Sequence, residues 1–256
     1  MENILTDIPL LVLLMACLIT VIAGFVKGAI GFAMPMIMIS GLASVLSAEA
    51  ALAALILPTV MTNAAQALRQ GLHEALQSAW RFRLYLGIVL VCIMGSAQLV
   101  TLMPQNAMFL MIGIPVLLFS ITQILGWHLS IKKEHRKRAE VIIGCVAGFT
   151  GGLSGIWGPP TVAYLTAIGT EKKEQIRVQG VIYGAGAVVL LLAHIKSGVF
   201  TVSTGSFSAL MLAPALLGML LGMRVQDRLD QAKFKKATLI VLAIAGLNLI
   251  RRGVFG

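Results

Sequence analysis

The stretch GFVKGAIGFAMPMI, residues 24–37, interrupts an otherwise apolar run, and GFTGGLSGIWGPPT, residues 148–161, looks like its copy. Gly24, Phe25, Gly28, Gly31 and Pro35 match Gly148, Phe149, Gly152, Gly155 and Pro159, every pair 124 positions apart. Five identities at one offset point to a duplicated unit, near 1–127 and 128–256. Arg69-Gln70-Gly71 likewise resembles Lys196-Ser197-Gly198. Only the first copy carries a lysine, Lys27.

Around these stretches the chain is built for lipid. Its 256 residues are 58% hydrophobic and 12% charged, with a mean hydropathy of +0.94; a soluble domain is about a quarter charged. Apolar segments fall at about 8–26, 33–47, 50–68, 84–103, 107–126, 140–153, 158–169, 176–194, 205–223 and 237–250, several near the roughly 20 residues a bilayer core needs. A transmembrane barrel would show alternating segments of about 10 residues, which are absent. The N-terminus reads as a first membrane segment, since it lacks a basic n-region and a small-residue cleavage site. The class is all-α, a polytopic membrane protein.

The net charge of +10 would suggest nucleic acid in a soluble chain. Here it follows the loops: residues 69–83, 127–139, 169–177 and 224–236 hold 16 of the 20 Lys and Arg, so all four are expected on the cytoplasmic side. The counterpart connections in the other half are poor in charge, so the two units are expected to have opposite orientation. The pattern predicts two inverted-topology repeats, each a re-entrant or broken helical hairpin followed by three transmembrane helices, with both termini outside. Inverted repeats are common in secondary transporters, whose sites lie where helices are broken at the membrane midplane.

Chemistry is expected at the two breaks. Freed backbone groups are tolerated in a membrane where they line a cavity. A helix restarting near Pro35 or Pro160 presents free N–H groups, and proline suits that position. Facing N-termini would favour an anion, and Lys27 adds a full charge. Two readings of Lys27 stay open: a substrate contact at membrane depth, or an amine reaching an interface. Thr150 and Ser154 either donate to an oxyanion or bond their own helix backbone; Trp157 walls the cavity, packs, or sits in an interface belt. Asn63 and Gln66 share one helix face, as do Gln179 and Tyr183 on the corresponding segment, and the alternative is interhelical bonding. Gln98 and Gln123 are weaker candidates. Glu2, Asp7, Glu49 and Glu74 lie near segment ends, and no buried carboxylate stands out. The cysteines lack metal spacing and read as small buried hydrophobes. The histidines, including His128, lack it too and lie at segment ends or in loops. The 13 methionines read as packing, and no P-loop is present. No nucleophile has a nearby base, so the chain is read as no enzyme.

GFVKGAIGFAMPMI together with GGLSGIWGPPTVAYL, residues 151–165, resembles the paired signatures of the TauE/SafE, or sulfite exporter, family, and the resemblance runs over the whole chain. It implies a plasma-membrane transporter of anions, often sulfur oxyanions or organosulfonates. It maps the signatures onto Gly24, Gly28, Gly31 and Pro35, and onto Gly148, Gly152, Gly155, Gly158 and Pro159. Lys27, where glycine or a small polar residue is usual, and Ala33-Met34, in place of a Gly-Gly pair, point to a subgroup.

The expectation is an alternating-access transporter of a small anion in the plasma membrane. The candidate substrate-binding residues are Lys27, Gly28, Gly31, Pro35, Asn63 and Gln66 in the first half. In the second they are Gly152, Ser154, Gly155, Trp157, Gly158, Pro159, Gln179 and Tyr183. An anion channel and a small-carboxylate transporter are the alternatives. No cofactor, metal or nucleic acid is expected; the partners are the substrate and the bilayer. A coupling proton or sodium ion and a homodimer are left open.

Overall fold

A computed structural model describes residues 8–69, 71–127, 130–225, 228 and 230–255; Glu2, Asp7, Gln70 and His128 lie outside them. All regular elements among the described residues are helical. The first half contains α1 (Leu10–Ile30), α2 (Met34–Leu42), α3 (Ala48–Leu68), α4 (Leu72–Arg81), α5 (Arg83–Ser96, extended by a 3-10 turn, Ala97–Leu102) and α6 (Gln105–Ile124). The second contains α7 (Arg136–Ser154), α8 (Gly158–Ala167), α9 (Lys172–Ser197), α10 (Val202–Leu210), α11 (Leu212–Val225) and α12 (Gln231–Phe255). The order is the same in both: a long helix and a short one about a break, a long helix, a two-piece helix, and a last long helix.

Seven stretches among the described residues are long and apolar enough to cross a membrane: α1, α3, α5 with its extension, α6, α9, α10–α11 and α12. Their outer faces stay apolar. Leu10, Leu14, Leu18 and Ile22 of α1 are all exposed, a pattern that fits a lipid surrounding. α7 is of similar length, but Arg136, Lys137, Arg138 and Glu140 charge its first turns. The protein is therefore an all-α polytopic membrane protein.

Glycines set the closest packing. A Cβ on Gly24 would collide with Ala215 O, and one on Gly28 with Met219 O; Gly218 and Gly222 face Val21 O and Phe25 O in the same way. The partners advance together, so α1 and α11 are parallel. Gly148 and Gly152 do the same against α5, where a Cβ would stand 2.6 Å from Val89 O and 2.6 Å from Ile93 O respectively. Small residues four apart allow such backbone contact, which helices in lipid rely on because apolar burial gains little there. These four signature glycines therefore sit inside intact helices; they pack helices and do not open them.

The remaining long pairs run the other way. On α9, Gly180 lies against Ala67 and Gly184 against Asn63, so α3 and α9 are antiparallel. Gly113 meets Gly246 O, and Gly253 meets Asn106 O, so α6 and α12 are antiparallel too. Ile131 N–H bonds Ala167 O at 3.3 Å, which brings the entry to α7 beside the exit of α8: the hairpin enters and leaves by one face. At the opposite face the Arg252 guanidinium, near the end of α12, donates to Ala43 O just after α2. Short connections reverse the chain between spans, so the four basic stretches fall on one face.

One element was not legible as such. Residues 69–83, read as a loop, contain the helix α4. It buries Ala75, exposes Leu72, Leu76 and Trp80, and has the spacing of an amphipathic surface helix. Arg177 pairs with Glu74 at 2.8 Å and Arg81 with Glu174, tying α4 to the start of α9. The Arg83 guanidinium lies 4.5 Å from the Trp80 ring centroid.

Candidate functional site

Each break is a left-handed turn. α1 ends where Gly31 takes φ 84° and donates its N–H to Lys27 O at 2.7 Å. α7 ends where Gly155 takes φ 72° and donates to Gly151 O at 2.7 Å. Both glycines act as helix C-caps, where a side chain would be strained. In the first break Ala33 also has positive φ, 74°. It is the one non-glycine residue in that region among those described.

The helices that restart differ in what they offer. Ile37 N–H bonds Ala33 O at 3.0 Å, leaving the Met34 and Met36 amides as free first-turn donors of α2. Pro35, between them, has none. Thr161 N–H bonds Trp157 O at 3.3 Å. With Pro159 and Pro160 in the first turn, α8 keeps only the Gly158 amide.

The two breaks meet around one small cavity of about 20 Å³, room for about one water. Phe32, Ala33, Pro35 and Met36 line it from the first break, and Gly155, Ile156, Trp157 and Gly158 from the second. Lys27 of α1 and Tyr183 of α9 complete the wall. Tyr183 donates its phenol to Gly158 O at 3.2 Å, and the Trp157 indole is fully buried.

Lys27 is 3% exposed, which excludes the interface reading within this conformation. Its Nζ donates to Asn63 Oδ1 on α3. Among the described residues no carboxylate pairs with it. Asn63 is fully buried, and among the described residues its Nδ2 is one of three buried side-chain polar atoms without a partner, with Ser40 Oγ and Thr59 Oγ1. Buried polar groups are normally bonded, so this amide leaves an open donor beside a buried amine.

The other candidates divide. Lys27, Pro35, Gly155, Trp157, Gly158 and Tyr183 line the cavity, and Asn63 touches it through Lys27. Gly31 shapes the turn. Pro159 is buried in the first turn of α8. Gly28 and Gly152 face neighbouring helices. Ser154 donates to Thr150 O at 2.7 Å, within its own helix. Gln66 donates to Ile176 O on α9 at 3.2 Å. Gln179 is buried one turn before Tyr183 but does not line the cavity. Glu49 is exposed in the first turn of α3.

Sequence reasoning passed over one buried acid. Glu140 is 8% exposed and accepts the Tyr164 hydroxyl at 2.7 Å. The Tyr164 ring stacks on Tyr85, centroids 4.8 Å apart, and the Tyr85 and Thr161 hydroxyls lie 3.0 Å apart. This cluster clamps α7, α8 and α5 between the basic face and Trp157. Glu140 was hidden because it follows three basic residues and looks solvated until the hairpin folds Tyr164 over it. His194 is also buried and ties α9 to α7, Nε2 lying 3.1 Å from Gly152 O.

The family model for the sulfite exporter TauE/SafE matches residues 16–249. The chain belongs to this family. No curated protein and no solved structure matches it. TauE/SafE members are membrane transporters of sulfite-type anions. This TauE/SafE chain is accordingly a multi-pass membrane transporter for a small anion. Its matched span contains both breaks, Lys27 and Asn63.

Proposed function

We propose that the chain is a secondary transporter that moves a small anion, a sulfur oxyanion or organosulfonate, across the plasma membrane by alternating access. The observation that carries this is Lys27: an amine buried where the two breaks meet, with no carboxylate partner and an open Asn63 donor beside it. A buried cation left unpaired is costly, and a bound anion offsets it. The Met34, Met36 and Gly158 amides add the partial positive charge of helix N-termini. One lysine matches one negative charge.

The units 1–127 and 128–256 are the two related halves in this reading, and their hairpins are the parts that move. Its support is the repeated order of elements and the antiparallel run of corresponding helices, α3 with α9 and α6 with α12. The cavity is smaller than a four-atom oxyanion needs, so the conformation is occluded, and the anion enters when the hairpins separate.

The test is a binding and liposome-uptake screen of sulfite, sulfate, thiosulfate and sulfoacetate against acetate and pyruvate. Saturable uptake with counterflow is expected; saturation without counterflow favours a channel. Lys27→Ala is expected to lower affinity by about a hundredfold, the scale of removing one partner from a buried charged contact. No binding of any of these anions sinks the reading.

A further inference from the structure

We infer that Lys27 carries a coupling proton, so that one proton crosses with each anion. The inference rests on the transporter reading above and adds to it the driving force.

The surroundings of Lys27 supply no fixed counter-charge. α3 brings Asn63 and α9 brings Tyr183, whose hydroxyl is committed to Gly158 O. The first break and α2 bring Phe32 and Met36, and the second break Trp157. α11 brings Met219 and Met223 against Gly28, and the adjacent Arg224 is exposed. α12 lays Phe234 on Phe25, while Lys235 bonds Gln123 at 3.3 Å. Lys27 is thus the one amine in the cavity wall, and no acid among the described residues faces it.

A carrier must cross both loaded and empty. Loaded, the ammonium and the anion cancel. Empty, the ammonium would cross an occluded, largely apolar site alone, which is far less favourable than crossing as the neutral amine. The cycle therefore closes only if the proton leaves with the anion. The neutral amine takes a proton from water on one side and the anion binds the ammonium. Both dissociate on the other side, and the neutral amine returns. No net charge crosses in either direction. Asn63 fits both states: Oδ1 accepts from the amine whether charged or neutral, and Nδ2 stays open for an anion oxygen.

Arginine would keep the charge but not the titration, because its guanidinium stays protonated.

The experiment uses the purified full chain in liposomes with radiolabelled sulfite at a constant, mildly acidic external pH that holds the probe as the monovalent hydrogensulfite, so that one anion and one proton together carry no charge. An alkaline interior is expected to drive accumulation of that monoanion by about tenfold per pH unit, with proton influx that acidifies the lumen and no response to an imposed voltage. Uptake that ignores the pH gradient and follows voltage overturns the inference while the transporter reading stands. No uptake of any panel anion removes both. In Lys27→Arg, pH-driven net uptake is expected to fall on the order of a hundredfold, while anion-for-anion exchange persists at a reduced rate. Net pH-driven uptake retained in that variant overturns the inference, whatever its rate of exchange.

Discussion

Two side chains and one backbone angle concentrate the physics of the site. Asn63 holds the Lys27 amine and leaves its own Nδ2 open. Asn63→Ala removes an acceptor from a buried amine and a donor from the anion. The expected loss is about 2 kcal/mol of binding, roughly thirtyfold, read by titration calorimetry. An unchanged affinity would place the anion elsewhere. Ala33 is a different matter. Its φ of 74° lies in the left-handed region that suits glycine. Left-handed backbone costs an L residue about 1–2 kcal/mol, and glycine's extra unfolded entropy takes back about 0.5–1 kcal/mol. Ala33→Gly should therefore stabilise the protein by about 0.5–1 kcal/mol, read as a higher midpoint of thermal unfolding in detergent.

At the level of elements, the signature glycines have two separate tasks. Gly28 lets α1 touch α11, and any side chain there meets Met219 O. Gly28→Leu should cost 3 kcal/mol or about that, seen as loss of a monodisperse folded species. Gly31 has open space around its missing Cβ, so Gly31→Ala should cost only the left-handed strain, about 1–2 kcal/mol. A reversed order of these two variants would contradict the packing described. The start of α12 gives a pH effect. Asp230 accepts the Lys233 N–H at 3.1 Å and pairs with its amine at 3.3 Å. Chiefly that backbone bond, then the side-chain one, holds its carboxyl below the usual range. The cap's contribution is therefore present above the unfolded value of about 3.9 and is lost as pH falls through the lower folded value. Hydrogen exchange should show the first turn of α12 opening in acid, and Asp230→Asn should blunt that response.

For the whole molecule, the direction of each helix pair dictates which connections share a face. Single cysteines at Gly71, Ile131 and Thr170 should all label from one side of the membrane. Cysteines at Ser44, Met103 and Thr201 should label from the other. A reporter joined after Gly256 should read outside. Mixed labelling within either set would break the arrangement, because a chain with short links cannot place one of these turns on the wrong face without reversing a span.

Sequence alone determined the environment and the two breaks, because these rest on local properties. Apolar length matches a bilayer, and Gly31 and Gly155 end helices by backbone freedom. What tertiary structure decided was which polar group meets which. Lys27 and Asn63 lie 36 positions apart, Glu140 and Tyr164 lie 24 apart, and no periodicity relates them. Gly28 and Gly152 looked like site residues from their motif, yet they serve contacts with α11 and α5. The reason is physical: a spacing tells which face of a helix a residue occupies, but only the packed neighbour decides whether that face borders a backbone, a lipid or a cavity.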